Sequence, residues 1–330
     1  MAATLKSVTL QIYIYTGTSG SYSASDLKFT LQKELITGHS KIIFEIAEMV
    51  RDYISVSFNN DYVSNTVWVT TIANLFDETG TIFSFGNPVT NTYLAFDSYG
   101  YFEDEINPQG NVYDLITSSN IILPKDTAGK LPVYAASTGS VVIDSSSTSI
   151  TDNGNSNQKI QYITIPANSS TIVVKDSGGT TKKTITVSTE CPDKFTPYKV
   201  TFVNKHGAFQ DLYFFKKSVE SFSVTGDESF KRNTVSTSTV TYNTYEGQKE
   251  RFNVNAQSSI QLNTGYIPED LKSAVEELFI SENVFIRYES KTLPIIPKTK
   301  QFTHKTSLND KLINYTVDFD FAFNMINNVR

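Results

Sequence analysis

Apolar residues recur at every second position from Ile313 to Phe323. Ile313, Tyr315, Val317, Phe319, Phe321 and Phe323 alternate with Asn314, Thr316, Asp318, Asp320 and Ala322. A period of two sustained this long predicts a β-strand with one buried face, paired antiparallel with its own chain or with a neighbouring copy. Shorter runs predict strands at Val8–Tyr15, Phe29–Leu35, Thr66–Ile72, Thr81–Phe85 and Thr92–Phe96. Further runs lie at Ser140–Ile143, Lys159–Ile165, Thr171–Lys175 and Lys182–Val187, with Asp176-Ser-Gly-Gly179 as a hairpin turn between the last two. Tyr198–Asn204, Asp211–Lys216 and Val284–Tyr288 complete the set, with a turn at Lys205-His-Gly207. Helical spacing appears twice. Ile42, Ile43, Ile46, Val50 and Ile54 predict an amphipathic helix over Lys41–Ile54, lying on a sheet. Behind Pro268, Glu269 and Asp270, a stripe of Leu271, Val275, Leu278 and Phe279 predicts a second, with Glu276 and Glu277 facing away.

These elements predict a mainly β protein with a minor α+β character. Residues 1–125 read as an N-terminal β-rich domain with one helix, and 195–330 as a C-terminal β-rich domain with one helix. Each is expected to be an antiparallel sandwich or barrel. Between them, residues 131–190 read as an inserted immunoglobulin-like β-sandwich, because short strands follow one another closely in a Ser-, Thr-, Asn- and Gly-rich stretch with few aromatics. Leu131-Pro132 and Cys191-Pro192 bracket it. With 330 residues the chain has room for two or three cores.

Composition strengthens the β reading. The chain has 22 Phe and 18 Tyr, which suit pleated surfaces, but only 3 Met and 3 His. Charged residues make up 19%, so hydroxyls and amides must supply the surface, a pattern suited to extracellular or particle-borne proteins. A net charge of −6, with Lys182–Lys183 and Lys216–Lys217 as isolated pairs, argues against nucleic acid as a partner. One cysteine, Cys191, excludes an intrachain disulfide. The first residues show no apolar signal-peptide core, and no apolar run approaches the roughly 18 residues that span a membrane. The expectation is a protein made in a host cytoplasm without a signal peptide and without membrane insertion.

Catalytic signals are sparse, and the expectation is that the chain is not an enzyme. His39, His206 and His304 stand apart from Cys191 and show no metal-ligand spacing, so neither metal nor cofactor is expected. His206 reads as a turn residue. The acidic, aromatic segment Asp97-Ser-Tyr-Gly-Tyr-Phe-Glu-Asp-Glu105 is the strongest candidate site. Asp97 and Glu103 could form a glycosidase pair; alternatively, Tyr99, Tyr101 and Phe102 simply anchor an acidic loop. No calcium loop, nucleophile elbow, phosphate loop or dinucleotide fingerprint occurs. The sequons at Asn168 and Asn314 read as chance matches.

Four segments together resemble virion structural proteins of tailed bacteriophages. They are Glu45-Ile-Ala-Glu-Met-Val-Arg-Asp-Tyr53, Ala95-Phe-Asp-Ser-Tyr-Gly-Tyr-Phe-Glu-Asp104, Lys199 through Lys216, and Lys305 through Tyr315. The resemblance covers most of the two outer regions and carries no active-site residues. It implies a structural role in the virion, in the tail or baseplate region, with other copies of the chain and other phage structural proteins as partners. Assembly would run through β-edges and aromatic loops, with Tyr99, Tyr101, Phe102, Phe209, Tyr213 and Phe214 as interface anchors. The alternatives are an adhesin for a host-surface polysaccharide, a cell-wall or capsule hydrolase, and a capsid decoration protein.

Overall fold

The computed structural model describes residues 5–82, 86, 88–104, 112–191, 194–231, 245, 247–298 and 312–326. The protein is mainly β, with several antiparallel sheets and few helices. It divides into two compact units. The first comprises Met1–Cys191, Thr201–Leu212 and Asp270–Asn283; the second comprises Pro192–Val200, Tyr213–Glu269 and Val284–Arg330.

In the first unit, β1 (Leu5–Tyr15), β2 (Leu27–Glu34), β3 (Thr66–Asp77) and β4 (Val89–Phe96) form an antiparallel sheet in the order β2-β1-β3-β4. Alternation in β1 sends Leu10, Ile12 and Ile14 to one face, where they join Val67 and Val69 of β3. The helix α1 (Ala47–Arg51) closes this core with Val50. The long helix expected over Lys41–Ile54 is not formed. Ile42, Phe44 and Ile46 are half-buried while Ile43 and Glu45 are exposed, so the segment obeys period two before its single helical turn. Branched Ile42, Ile43 and Ile46 favour extended backbone, and Ile46 offers no side chain to cap the helix start. Of the expected strand Thr81–Phe85, residues 83–85 lie outside the described residues.

The segment from 120 onwards contains β5 (Asn120–Pro124), β6 (Gly129–Tyr134), β7 (Thr138–Ile143), β8 (Ser146–Ser149), β9 (Ile160–Ile165), β10 (Thr171–Asp176) and β11 (Thr181–Glu190). One sheet has the order β5-β11-β10-β7-β8 and the other is the pair β6-β9. Counting from β5, the third, sixth and seventh strands share one sheet, and the second and fifth form the other. That division is the immunoglobulin-like arrangement of C, F and G against B and E. Only β5 and β11 run parallel. Leu131, Val133, Ile165, Val141, Ile172, Val174 and Ile185 are fully buried between the layers. The turn after β10 is fixed by Asp176, whose carboxylate accepts the Thr180 N–H at 2.8 Å. The polar loop after β8 also ties into the first sheet. Asn157 donates to the Thr66 carbonyl at 2.6 Å, and Trp68 Nε1 donates to the Asn155 carbonyl at 3.1 Å.

Strands β12 (Tyr198–Val203) and β13 (Phe209–Phe214) are joined by the expected turn. The second helix, α2 (Lys272–Ile280), follows a single 3₁₀ turn at Glu269–Leu271 and belongs, from Asp270 on, to the first unit. Leu271, Ala274, Val275 and Leu278 are buried. Glu277, expected to face away, is also buried, because its carboxylate has partners inside: Thr117 Oγ1 donates to it, and so does the Lys205 N–H at 3.2 Å.

The second unit is built on β14 (Val219–Phe230), β15 (Lys249–Asn263), β17 (Val284–Tyr288), β18 (Lys291–Pro297) and β20 (Thr316–Asn324), hydrogen-bonded in the order β17-β18-β20-β15-β14. A small pair joins β16 (Ile267–Pro268) to β19 (Leu312–Ile313). The long final strand is therefore interrupted at Asn314–Tyr315. There its partner turns through Thr264 and Gly265, and the Tyr315 N–H bonds to Thr264 Oγ1 at 3.0 Å instead of to a strand. The predicted inward alternation still holds: Ile313, Tyr315, Val317, Phe319 and Phe321 are buried. It stops at Phe323, which is 44% exposed.

Candidate functional site

The acidic, aromatic segment lands on the polar turn between β12 and β13, within the first unit. Asn204 is fully buried and organises that turn: its Nδ2 donates to the Leu115 carbonyl at 2.6 Å, and its Oδ1 accepts the His206 and Ala208 N–H groups at 3.0 and 3.2 Å. Gly207 has φ +77°, and a Cβ there would meet the Asp97 backbone at 3.0 Å, so this position needs glycine twice over. The Tyr99 N–H donates to the Lys205 carbonyl at 3.0 Å, and the Lys205 ammonium sits 5.3 Å over the Tyr101 ring. Burial, reinforced by the charges of Lys205 and Lys183, lowers the His206 pKa to about 4, so its imidazole is neutral at pH 7. Burial also raises the carboxyl of Glu277 above its ordinary value.

This arrangement fixes a loop and engages one of the two candidate carboxylates. Asp97 Oδ1 is engaged by Arg51 Nε at 3.0 Å, and Arg51 Nη2 reaches on to Glu282 at 3.0 Å. Glu103 is exposed on a short 3₁₀ turn. Among the described residues, no group of three or more His, Cys, Asp or Glu is placed to hold a metal ion. His39 and Cys191 are exposed; His304 lies outside the described residues.

The six expected anchors separate into two kinds. Phe102 is fully exposed, and Tyr99 and Tyr101 are half-buried and packed edge-on against each other at 5.9 Å. Phe209, Tyr213 and Phe214 are core residues instead. Phe209 packs 4.7 Å from Phe58, and Phe214 meets Phe319 edge-on at 6.0 Å. In Phe209–Phe214 five of six residues are buried, so the strand has no solvent face to offer a partner.

The β14–β15 ribbon of the second unit exposes Val219, Phe222, Val224, Phe230 and Phe252. All twelve residues of β14 are exposed. Alternation puts Glu220, Phe222, Val224, Gly226, Glu228 and Phe230 on one face, and Ser221, Ser223, Thr225, Asp227 and Ser229 on the other. A bulge at Asn253, whose φ is 51°, shifts the register of β15 so that Arg251 and Lys249 share the face of Glu228 and Phe230. Towards its root the same face carries Ile260, paired with Phe319, and both are buried. The face is thus covered at the root and uncovered along the arm, where Phe222, Val224 and Phe230, at 67%, 44% and 79% exposed, stand among Glu220, Glu228, Arg251 and Lys249.

Where cover ends, an open groove of about 460 Å³ is walled by Phe222, Tyr288, Phe321, Phe323 and Met325, with Glu220 at its side. Tyr288 Oη donates to Glu220 Oε1 at 3.0 Å. Desolvation and that carboxylate push the Tyr288 pKa up to about 12, so the phenol stays protonated at pH 7. Tyr198 stacks on Tyr288 at 6.1 Å and Phe321 meets it edge-on at 5.6 Å, which fixes the wall. At the arm's far end, the Lys249 ammonium lies 5.4 Å over the exposed Phe230 ring. The sequence marks the arm only weakly. Its signal, Phe222 and Val224 between Ser221, Ser223 and Thr225, is a short period-two run without branched or aromatic bulk at most inward positions.

The chain matches no protein-family model, no curated protein and no solved structure. Among the described residues, no helix is long and apolar enough to cross a membrane.

Proposed function

We propose that the chain is a structural protein of a tailed-phage particle, assembling with copies of itself and other particle proteins in the tail or baseplate region. One observation carries the assembly part. Strand β14 forms the edge of its sheet, and it exposes all twelve residues, Phe222, Val224 and Phe230 among them. Protein surfaces rarely leave such a strip uncovered, and sheet edges are normally blunted by Lys, Pro or a covering loop. Glu220, Asp227 and Glu228 and the bulge opposite blunt the backbone edge of β14, so its exposed side chains carry the proposal. The mechanism is mechanical: the ribbon's exposed apolar side chains are buried on assembly. The phage setting rests on the four resembling segments.

A polysaccharide adhesin is the second reading, favoured by the groove's aromatic walls beside a carboxylate, which suit a sugar ring. Antibodies against the purified protein, applied to intact particles under the electron microscope, decide between the readings. Label in a ring at the tail or baseplate supports the proposal. Label over the head moves the role to capsid decoration, and particles without label overturn the structural role.

A further inference from the structure

We propose that the groove of the second unit binds a quaternary ammonium group, held by tilted aromatic rings beside a carboxylate. This stands apart from the assembly reading, because Val224, Phe230 and Phe252 lie outside the groove. Curvature makes the groove. Tyr288 and Glu220 stand on β17 and β14, four steps apart in the order β17-β18-β20-β15-β14. Four steps of a flat sheet span about 19 Å. The two side chains nevertheless meet at 3.0 Å, so the sheet curls and one of its faces becomes concave. Alternation puts Phe319, Phe321 and Phe323 on that face. Glu220 pairs with Ile260, which pairs with Phe319, so Glu220 and Phe222 join them. Phe321 is buried, while Phe222, Phe323 and Met325 are exposed around it.

Charge and hydrogen-bonding capacity select the occupant. Among the described residues lining the groove, Glu220 is the only charged one, and none is basic. The Tyr288 hydroxyl donates to Glu220 Oε1 and fixes the carboxylate beside the rings. Phe321 meets Tyr288 at 74° and Phe323 at 50°, so these rings form a corner and not a flat platform. A sugar stacks on a flat ring face and brings several hydroxyls that need partners. Few are on offer, and the Ser259 hydroxyl already donates to Asp320 at 2.6 Å. A lysine ammonium carries three N–H donors and an arginine five, which phenylalanine rings and a thioether leave unsatisfied. A quaternary ammonium is a cation with no N–H at all. Its methyl groups pack on the rings and on Met325, and its charge meets the ring faces and Glu220 together. At about 460 Å³ the groove has the size of a small-molecule site.

The test is isothermal titration calorimetry of the full-length protein with choline and with its neutral isostere, in which carbon replaces the nitrogen. Wild type is compared with Glu220→Gln, Phe222→Ala and Phe323→Ala, each checked for folding by circular dichroism. Tyr266→Ala, at an exposed tyrosine outside the groove, is the control. The expected result is saturable choline binding, with the isostere weaker by about tenfold or more. Each groove variant weakens choline by about three- to tenfold, and Tyr266→Ala leaves it unchanged. Cosedimentation with phosphatidylcholine vesicles then separates the sources. Capture supports a lipid headgroup as the carrier, and choline binding without capture supports a soluble or polymer-linked group. Three results overturn the inference and leave the assembly reading standing: no choline binding, equal binding of the isostere, or choline binding that no groove variant weakens. A protein that ignores choline but loses binding to a host-envelope polysaccharide fraction on Phe222→Ala also overturns it and establishes the adhesin reading.

Discussion

The immunoglobulin-like segment and the β14–β15 ribbon use one alternating pattern with opposite outcomes. In the segment, the inward residues Val141, Ile172, Val174 and Ile185 are fully buried, and two layers of one chain cover each other. On the ribbon, Phe222, Val224 and Phe230 share one face with Gly226 and Glu228, and no layer of the described chain covers them. Alternation therefore fixes which face is apolar, and only a facing layer decides whether that face is core or interface. The ribbon is a layer whose apolar side chains no described part of the chain covers.

The comparison breaks most visibly through paired substitutions. Ile185→Ala, in the covered layer, is expected to cost about 2–5 kcal/mol. Trp68 is the only tryptophan and lies in the same unit, so its fluorescence in a denaturant titration reads the loss. Phe222→Ser, at a position 67% exposed, is expected to change folding stability by about 0.5 kcal/mol or less, measured by circular dichroism. Equal costs at the two sites would refute the contrast.

Burial in the first unit also governs ionisation. The fold favours neutral His206, whose pKa falls from 6.5 to about 4. Its contribution is complete above pH 6.5 and is lost as pH falls towards 4, on the order of 2–4 kcal/mol. His206→Gln should flatten the decline in melting temperature across that window. An unchanged slope would mean that the imidazole is not desolvated as described.

Two smaller effects sharpen the picture. Gly207→Ala forces a side chain into a left-handed backbone against Asp97 and should cost about 1–3 kcal/mol, again read at Trp68. Tyr288→Phe removes one hydrogen bond at the groove wall and should cost about 0.5–1.5 kcal/mol. Its denaturation midpoint by circular dichroism should move less than that of Gly207→Ala.

Much of the fold was legible where alternation was strong. The final strand's inward set from Ile313 to Phe321 is buried as its period required, and Val284–Tyr288 forms a strand with those limits. The break at Asn314–Tyr315 was not legible, because it comes from the partner's turn at Thr264–Gly265 and not from the strand's own residues. The helix over Lys41–Ile54 failed because apolar positions 42, 46, 50 and 54 fit a helix, while Ile42, Phe44 and Ile46 fit a strand equally well. Burial of Glu277 was hidden for another reason. A carboxylate on a helix looks solvent-facing until Thr117 and the Lys205 amide, both distant in sequence, arrive to bond it.

The candidate site was the least legible part. Phe209, Tyr213 and Phe214 stood out as aromatic clusters, yet aromatic density is a mark of cores as much as of interfaces. The ribbon, with mostly Ser, Thr and Asn between a few apolar residues, drew no notice because exposure depends on what is absent opposite it.

The most direct test of the uncovered face is hydrogen exchange of Val219–Phe230 in the full-length protein, compared at dilute and concentrated conditions. The account predicts that these amides slow on concentration while β10 and β11 stay unchanged. Exchange of the ribbon that is identical at both concentrations, in a protein whose mass does rise, would contradict it.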